Sequence, residues 1–378
     1  MPPLRIGINA LYLIPGGVGG TEIYLRSLLA ALADVDSANE YIVFTNRETG
    51  KDLIPERPNF RCHPQPVQAA VRPMRLAWEQ TGLPLAVKRA RIDVLFNPGF
   101  TCPALCPCPC VTVFHDLQHK RHPEHFRWFD LPFWRLFLYL AARRSRLLVA
   151  VSEATGDDLR RYYGLRAGKI RVIPEGVDNR FFEIGRRRST VPTEPFLLVV
   201  STSHPHKNLD RLIRAFASFR KERPEFRLVI AGLRGFQADR LEARIRELQL
   251  TDSVRLTGWI PREALYDLFL RARAFLYPST FEGFGLPVIE ALAAGVPSAC
   301  SNIEPLHSLA GEAALEFDPG NDQAILKAMR RLTSDEALRL DLTRKGPERA
   351  LLFSWHKCAE ATLDALREAA GYRSNSSN

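Results

Sequence analysis

The residues best suited to chemistry lie in the run Pro278-Ser279-Thr280-Phe281-Glu282-Gly283-Phe284-Gly285-Leu286-Pro287-Val288-Ile289-Glu290-Ala291. Its two acids stand eight positions apart, the first ahead of a glycine loop and the second about a turn into a helix. One loop thus offers a ligand a carboxylate and several backbone N–H groups. The helix brings a second carboxylate near, able to accept two hydroxyl hydrogen bonds, as a vicinal diol requires. The structural alternative is a helix cap followed by a buried acid. An acid flanked by apolar residues, as in Ile289-Glu-Ala-Leu-Ala-Ala, needs partners, which favours a binding role.

Three further clusters follow strand-like segments. In Thr202-Ser-His-Pro-His206-Lys207-Asn208, Lys207 is a mobile point charge suited to phosphate, and a helix starting near Asn208 turns its positive end to the same place. Val111-Thr-Val-Phe-His115-Asp116 ends a strand in a polar pair. Sites in α/β proteins lie at such strand ends, where a His can bond a substrate hydroxyl or a developing charge, or merely hold a loop. The loop Gly16-Gly17-Val18-Gly19-Gly20 lies between a strand and a helix, where glycines admit a ligand close to free N–H groups. It reads equally as a phosphate or sugar loop and as a tight turn. It is not the G-x-G-x-x-G of a nicotinamide site, because Glu22 stands where the third glycine would be.

Other groups read as structural. Asp34-Val35-Asp36 could hold a metal on a diphosphate, but it ends a helix ahead of a strand and reads as a solvated turn. His119, His122 and His125 read as loop residues. Cys102, Cys106, Cys108 and Cys110 alternate with prolines in a pattern unlike a zinc knuckle. No metal is expected.

These residues need a scaffold. Leu4–Leu13, Tyr41–Thr45, Val94–Asn97, Val111–Phe114, Leu147–Val151 and Ile170–Ile173 read as short buried strands, several of them separated by helices. Glu183–Pro195 is polar, basic and Pro-containing, and reads as a linker. The pattern then restarts with strands at 196–200, 227–231, 254–256 and 274–277 and helices between them. The expectation is α/β: two Rossmann-like domains facing each other across a cleft, with the site at the carboxyl ends of the strands. The boundaries are 1–183, a linker at 184–195, 196–352, and a helix and tail at 353–378.

Composition agrees with a globular protein: 378 residues, 46% hydrophobic and 25% charged. The net charge of +10 is spread over both halves, whereas nucleic-acid binders concentrate theirs in a stripe. It suits anionic small substrates or an anionic membrane surface. Seven cysteines and no secretion signal imply free thiols and a cytoplasmic protein. No segment reads as a spanning helix. The aromatic run Phe126–Leu140, followed by Arg143, Arg144 and Arg146, fits either peripheral contact with an anionic leaflet or a core-facing helix.

The run P-S-T-F-E-G-F-G-L-P-V-I-E-A resembles the E-x7-E signature of the retaining glycosyltransferases of family 4, which have the GT-B fold. The similarity extends in order through Gly16–Glu22, His115-Asp116, Ser152-Glu153, Pro174–Asp178, Pro205–Asn208, Gly232, Gly258-Trp259, Phe317–Pro319 and FSWHKCAEATL. The resemblance implies transfer of a mannose- or glucose-like hexose from a GDP- or UDP-sugar to a glycan, lipid-linked or small-molecule acceptor, with retention and without metal or cofactor. It gives Glu290 the donor ribose. Glu282 and the amides of Gly283, Phe284, Gly285 and Leu286 take sugar hydroxyls and diphosphate. Lys207 neutralises diphosphate beside His206. Gly17, Gly19 and Gly20 cover the donor from the other domain, and His115 contacts the sugar near its anomeric carbon. Gly258, Trp259 and Ile260 border the base. The final helix crosses back to the first domain. His115, Glu282 and Lys207 are the catalytic candidates.

The chain departs from the family at Ser201 and His206, where relatives place Arg, at Ser308, where Glu is frequent, and at Glu175, where Asn is usual. Lys207 is then the single permanent positive charge expected at the diphosphate, with Arg234 as a possible supplement. The alternatives are a nucleotide-sugar epimerase of the same architecture and a non-catalytic basic binding or scaffold protein.

Overall fold

Parallel strands buried on both faces call for near-continuous apolar runs, and those runs form two separate sheets. The structure, a computed structural model, describes residues 2–17 and 19–372. The chain divides into two compact units, one of residues up to Gly176 together with those from Trp355 on, the other Val177–Ser354.

The first unit carries β1 (Arg5–Asn9), β2 (Glu40–Thr45), β3 (Phe60–Pro64), β4 (Val94–Asn97), β5 (Cys110–Phe114), β6 (Leu147–Ala150) and β7 (Ile170–Val172). They form one parallel sheet in the order β3-β2-β1-β4-β5-β6-β7. The second unit carries β8 (Glu194–Val200), β9 (Arg227–Ala231), β10 (Val254–Gly258), β11 (Ala272–Tyr277), β12 (Ser298–Ser301) and β13 (Leu315–Phe317). Their order is β10-β9-β8-β11-β12-β13, again parallel throughout. Strand order reverses between β1 and β4 in one sheet and between β8 and β11 in the other. At such a switch point the loops leave in opposite directions and open a crevice above the carboxyl ends.

Helices cover both sheets. In the second unit Leu212, Phe216 and Phe219 of the Leu209–Glu222 helix join Leu197, Leu228, Leu276 and Ile325 in a fully buried core. In the first unit the Trp355–Ala369 helix packs on the Gly20–Val35 helix, where the Trp355 and Tyr24 rings lie 5.9 Å apart.

The structure corrects several expectations. The segment read as a linker from 184 is helical through Arg188, in a helix spanning Asn179–Arg188. Its start is capped by Asp178, which accepts from the Arg180 N–H at 3.0 Å, and its apolar face is Phe181 and Ile184, both buried. The basic run that suggested solvent is partly structural. Arg188 donates to the carbonyls of Phe269, Leu270 and Ala272 at 2.5, 2.8 and 2.9 Å, closing the end of the Arg262–Arg271 helix. Gly185 must be Gly because a Cβ there would stand 2.8 Å from the Ala293 carbonyl oxygen. Strands β3, β12 and β13 are additional to the expected set. Asp36 is no solvated turn residue. It is buried and accepts from Asn39 Nδ2 at 2.7 Å and from the Tyr41 hydroxyl at 2.5 Å.

Candidate active site

In the second unit the loops after β8 and β11 are stitched together at the switch point. Asn208 adopts left-handed backbone at φ 57°, and its Nδ2 donates to the carbonyls of Pro278 and Pro319 at 3.0 and 2.9 Å. The Thr280 N–H donates to the His206 carbonyl at 2.7 Å. This fixes Lys207 over the second loop. Its Nζ lies 2.6 Å from Glu282 Oε1 and 3.0 Å from the Tyr277 hydroxyl, with the Lys and Glu side chains only 13% and 9% exposed. Burial alone would lower the Lys207 pKa. The charge of Glu282 and the bonds to Glu282 and Tyr277 outweigh it, and the net shift is upward. The lone phosphate charge expected from the sequence is therefore already paired with the expected sugar ligand.

The Leu286–Ala293 helix then begins at Gly285, whose φ of 117° excludes other residues, and no side chain caps it. Pro287 has no N–H and the Val288 N–H donates to the Gly285 carbonyl at 2.9 Å, so what this start offers an anion is the Leu286 N–H and the helix dipole. Phe284 and Leu286 are buried, and Phe284 packs edge-on to Phe353 at 5.9 Å, so only their amides can face a ligand. Glu290, 3% exposed, projects from this helix into a second ionic cluster. Arg262 Nη2 lies 3.4 Å from Glu290 Oε1 and 3.5 Å from Asp178 Oδ2. Arg262 Nε donates to the Tyr266 hydroxyl at 3.0 Å, and that hydroxyl donates to Asp178 at 2.5 Å. Burial acts to lower the Arg262 pKa, but Glu290 and its neighbours reverse that and raise it. Arg262 was not anticipated. It stands 28 positions before its partner and nothing local in Pro261-Arg-Glu marks it. Gly258, Trp259 and Ile260 close β10 two strands from the switch point, and the Trp259 ring is exposed. His206 stacks at 6.0 Å on His204 and meets Phe281 edge-on at 6.5 Å. Arg234 is exposed and bridges Glu242 and Asp239.

In the first unit His115 follows β5 and is 9% exposed. Its Nδ1 lies 3.2 Å from Glu175 Oε1 and its Nε2 2.9 Å from the Pro98 carbonyl. The tautomer of the ring decides which nitrogen donates. A ligand bonding to either ring nitrogen would have to replace Glu175 or the Pro98 carbonyl. The Nδ1 contact also gives Glu175 a partner, the His115 ring. Tyr24 and Phe100 pack edge-on to His115 at 4.8 and 5.2 Å. Phe100 sits at φ 69°, a strained conformation for an aromatic residue.

The glycine loop is held by Glu22, whose Oε2 accepts from the Gly16 N–H at 2.8 Å while Oε1 accepts from Arg26 Nε at 2.9 Å. The Gly17 N–H returns to the Ile14 carbonyl at 2.8 Å, and nothing lies within 4 Å of where a Cβ would stand on Gly19 or Gly20. Packing does not demand the absent side chain at Gly20. Val18 lies outside the described residues. His122, Glu124 and His125 cluster with His122 Nδ1 3.0 Å from Glu124, and His119 is buried against the Tyr163 hydroxyl at 2.7 Å.

Two family models fit in succession, glycosyltransferase family 4 over residues 18–181 and glycosyl transferases group 1 over residues 182–349. The chain belongs to the glycosyltransferases of family 4. It is 27% identical over 305 residues to the Escherichia coli O-antigen chain mannosyltransferase B, covering 79% of this chain and 78% of that protein. Its fold is GT-B. A sucrose-phosphate synthase from Thermosynechococcus elongatus matches it with a TM-score of 0.79 at 22% identity, over 97% of this chain and 98% of that one. Anabaena HepE, solved in complex with UDP and glucose, matches with a TM-score of 0.74 at 20% identity, over 96% and 99%. As a glycosyltransferase the chain has its E-x7-E acids on one loop and helix of the second unit, one paired to Lys207 and the other to Arg262. Among the described residues no helix is long and apolar enough to cross a membrane.

Proposed function

We propose that this glycosyltransferase moves a mannose- or glucose-like hexose from a GDP- or UDP-sugar to a glycan, lipid-linked or small-molecule acceptor, with retention and without metal. The observation that carries the reading is the Lys207–Glu282 pair beside an uncapped helix start, with Glu290 one turn into that helix. Donor binding exchanges partners. Lys207 turns from Glu282 to the diphosphate, Glu282 is released to the sugar hydroxyls, and Glu290 takes the ribose diol. The charge that develops on the departing diphosphate is met by Lys207, the loop amides and the helix start. His115, held by Glu175, stabilises the sugar as the donor bond opens. The name of the Escherichia coli relative supports mannose, and the HepE complex supports a nucleotide donor.

The first unit carries the acceptor in this reading, and a lipid-linked acceptor would bring it to the cytoplasmic face of a membrane. The Leu131–Arg144 helix supports such contact. It buries Leu138, Ala141 and Ala142 but exposes Phe133 and Leu136, beside exposed Trp128, Arg143 and Arg144. Incubation with a panel of sugar nucleotides in excess chelator tests the function. Release of nucleoside diphosphate that depends on an acceptor is expected. Loss of transfer restored by manganese contradicts metal independence, and donor epimerisation without acceptor contradicts transfer.

A further inference from the structure

The buried face of the Arg72–Arg89 helix is apolar at Leu83, Ala86 and Val87 but ionic at Arg75 and Glu79, one turn apart. Each favours the other's charge through space, but no hydrogen bond joins them. Glu79, 1% exposed, instead accepts from Thr101 Oγ1 at 2.9 Å, from Asn9 Nδ2 at 3.4 Å and from Gln80 Nε2 at 3.4 Å. Asn9 also donates to Asn97 at 3.0 Å, so the acid is tied to the ends of β1 and β4, at the switch point of the first sheet. Arg75, 8% exposed, has a guanidinium with no hydrogen-bond acceptor among the described residues, and its Nε is fully buried and unsatisfied. A buried guanidinium whose N–H groups find no acceptor is costly to a fold, even with the Glu79 carboxylate one turn away.

The surroundings favour an oxyanion. Arg72, one turn earlier, stacks its guanidinium 4.1 Å above the Trp134 ring and reaches Asp130 only at 4.0 Å. Burial is the main influence lowering both arginines from their ordinary value, and Arg75 adds to the effect on Arg72. No side chain caps this helix at Val71, so its positive end is unoffset. Planar guanidinium forks match the oxygens of a phosphate.

We propose that Arg75, assisted by Arg72, is an anion subsite that takes a phosphate-ester group of the acceptor. This rests on the reading of the first unit as the acceptor side. The phosphate could belong to a soluble sugar phosphate or to a lipid headgroup, which the experiment separates.

The full chain is titrated calorimetrically with inorganic phosphate as the parent, as Lys207→Gln and as Arg75→Gln. Phosphate binding should survive Lys207→Gln and weaken ~10-fold or more in Arg75→Gln. No binding by the parent, its disappearance in Lys207→Gln, or an unchanged affinity in Arg75→Gln overturns the proposal. Arg75→Met guards against misfolding. Phosphate should raise the melting temperature of the parent and leave that of Arg75→Met unchanged, and an equal rise in both would overturn the subsite. Failure of GDP and UDP to bind would instead remove the donor reading and leave these titrations standing. Glucose 6-phosphate and phosphatidylcholine vesicles with or without phosphatidic acid then identify the source. Discrimination between parent and Arg75→Gln by either probe supports the subsite, and by neither contradicts it.

Discussion

The two switch points of this molecule hold charge differently. In the second unit the key charges are paired at short range, Lys207 with Glu282 at 2.6 Å and Glu290 with Arg262 at 3.4 Å. In the first unit His115 is closed between Glu175 and the Pro98 carbonyl, while the Arg75 guanidinium has no hydrogen-bond acceptor among the described residues. A site of exchangeable pairs suits a ligand that carries both hydroxyls and phosphates, because each partner is released to a matching group. A buried cation whose N–H groups lack an acceptor suits a ligand that brings oxygens and negative charge. The comparison therefore assigns different duties to the two units, and it can be broken at several points.

The largest effect is expected at Lys207. Lys207→Met keeps the stem and loses the charge, and turnover should fall by ~10³-fold, since the leaving diphosphate loses its main compensation. Initial rates of diphosphate release measure this, and a change within a factor of a few would leave the pair merely structural.

Next is His115. His115→Ala should lower turnover by ~10²-fold with little change in donor affinity. Glu175→Gln should have a smaller effect in the same direction, because the ring keeps a hydrogen-bond partner but loses the carboxylate. Equal turnover in parent and His115→Ala would return the residue to a loop-holding role.

A smaller effect concerns stability of the first unit. Burial, with help from Lys120 and Arg135, depresses His119 from 6.5 to about 4. The folded state thus keeps this ring neutral where the unfolded chain protonates it. Its contribution is complete above pH 6.5 and is lost as pH falls toward 4, at most about 3 kcal/mol. Denaturant melts of the parent across this window should show a steeper decline than those of His119→Asn. Parallel declines would mean that His119 titrates normally.

The second unit's site was the more legible in sequence for a physical reason. Glu282, the glycine loop and Glu290 lie within one loop and helix, so spacing alone places them together. Lys207 was found because it follows a strand and precedes a helix. Its pairing with Glu282 was not, because β8 and β11 become neighbours only through the sheet. The same limit hid Arg262, and in the first unit it hid Glu175 and Arg75, which reach their surroundings from segments far apart in the chain. Among the strands, Ser298-Ala-Cys-Ser has no β-branched residue and is buried only because β11 and β13 flank it. Strand β3, Phe60-Arg-Cys-His-Pro, is a partly exposed edge that lacks the apolar run of the others. The misread linker fails for the opposite reason: its arginines look solvated, but one of them closes a neighbouring helix.

The central claim is that the two glutamates divide the donor between them. Calorimetric titration of Glu290→Gln and Glu282→Gln with the sugar nucleotide and with its free nucleoside diphosphate tests it directly. Glu290→Gln should weaken both ligands in parallel by ~10-fold or more, because charge-assisted bonds to the shared ribose contribute about 1.5–3 kcal/mol each. Glu282→Gln should weaken the intact donor more than the diphosphate. A folded Glu290→Gln that binds both ligands like the parent would contradict the account.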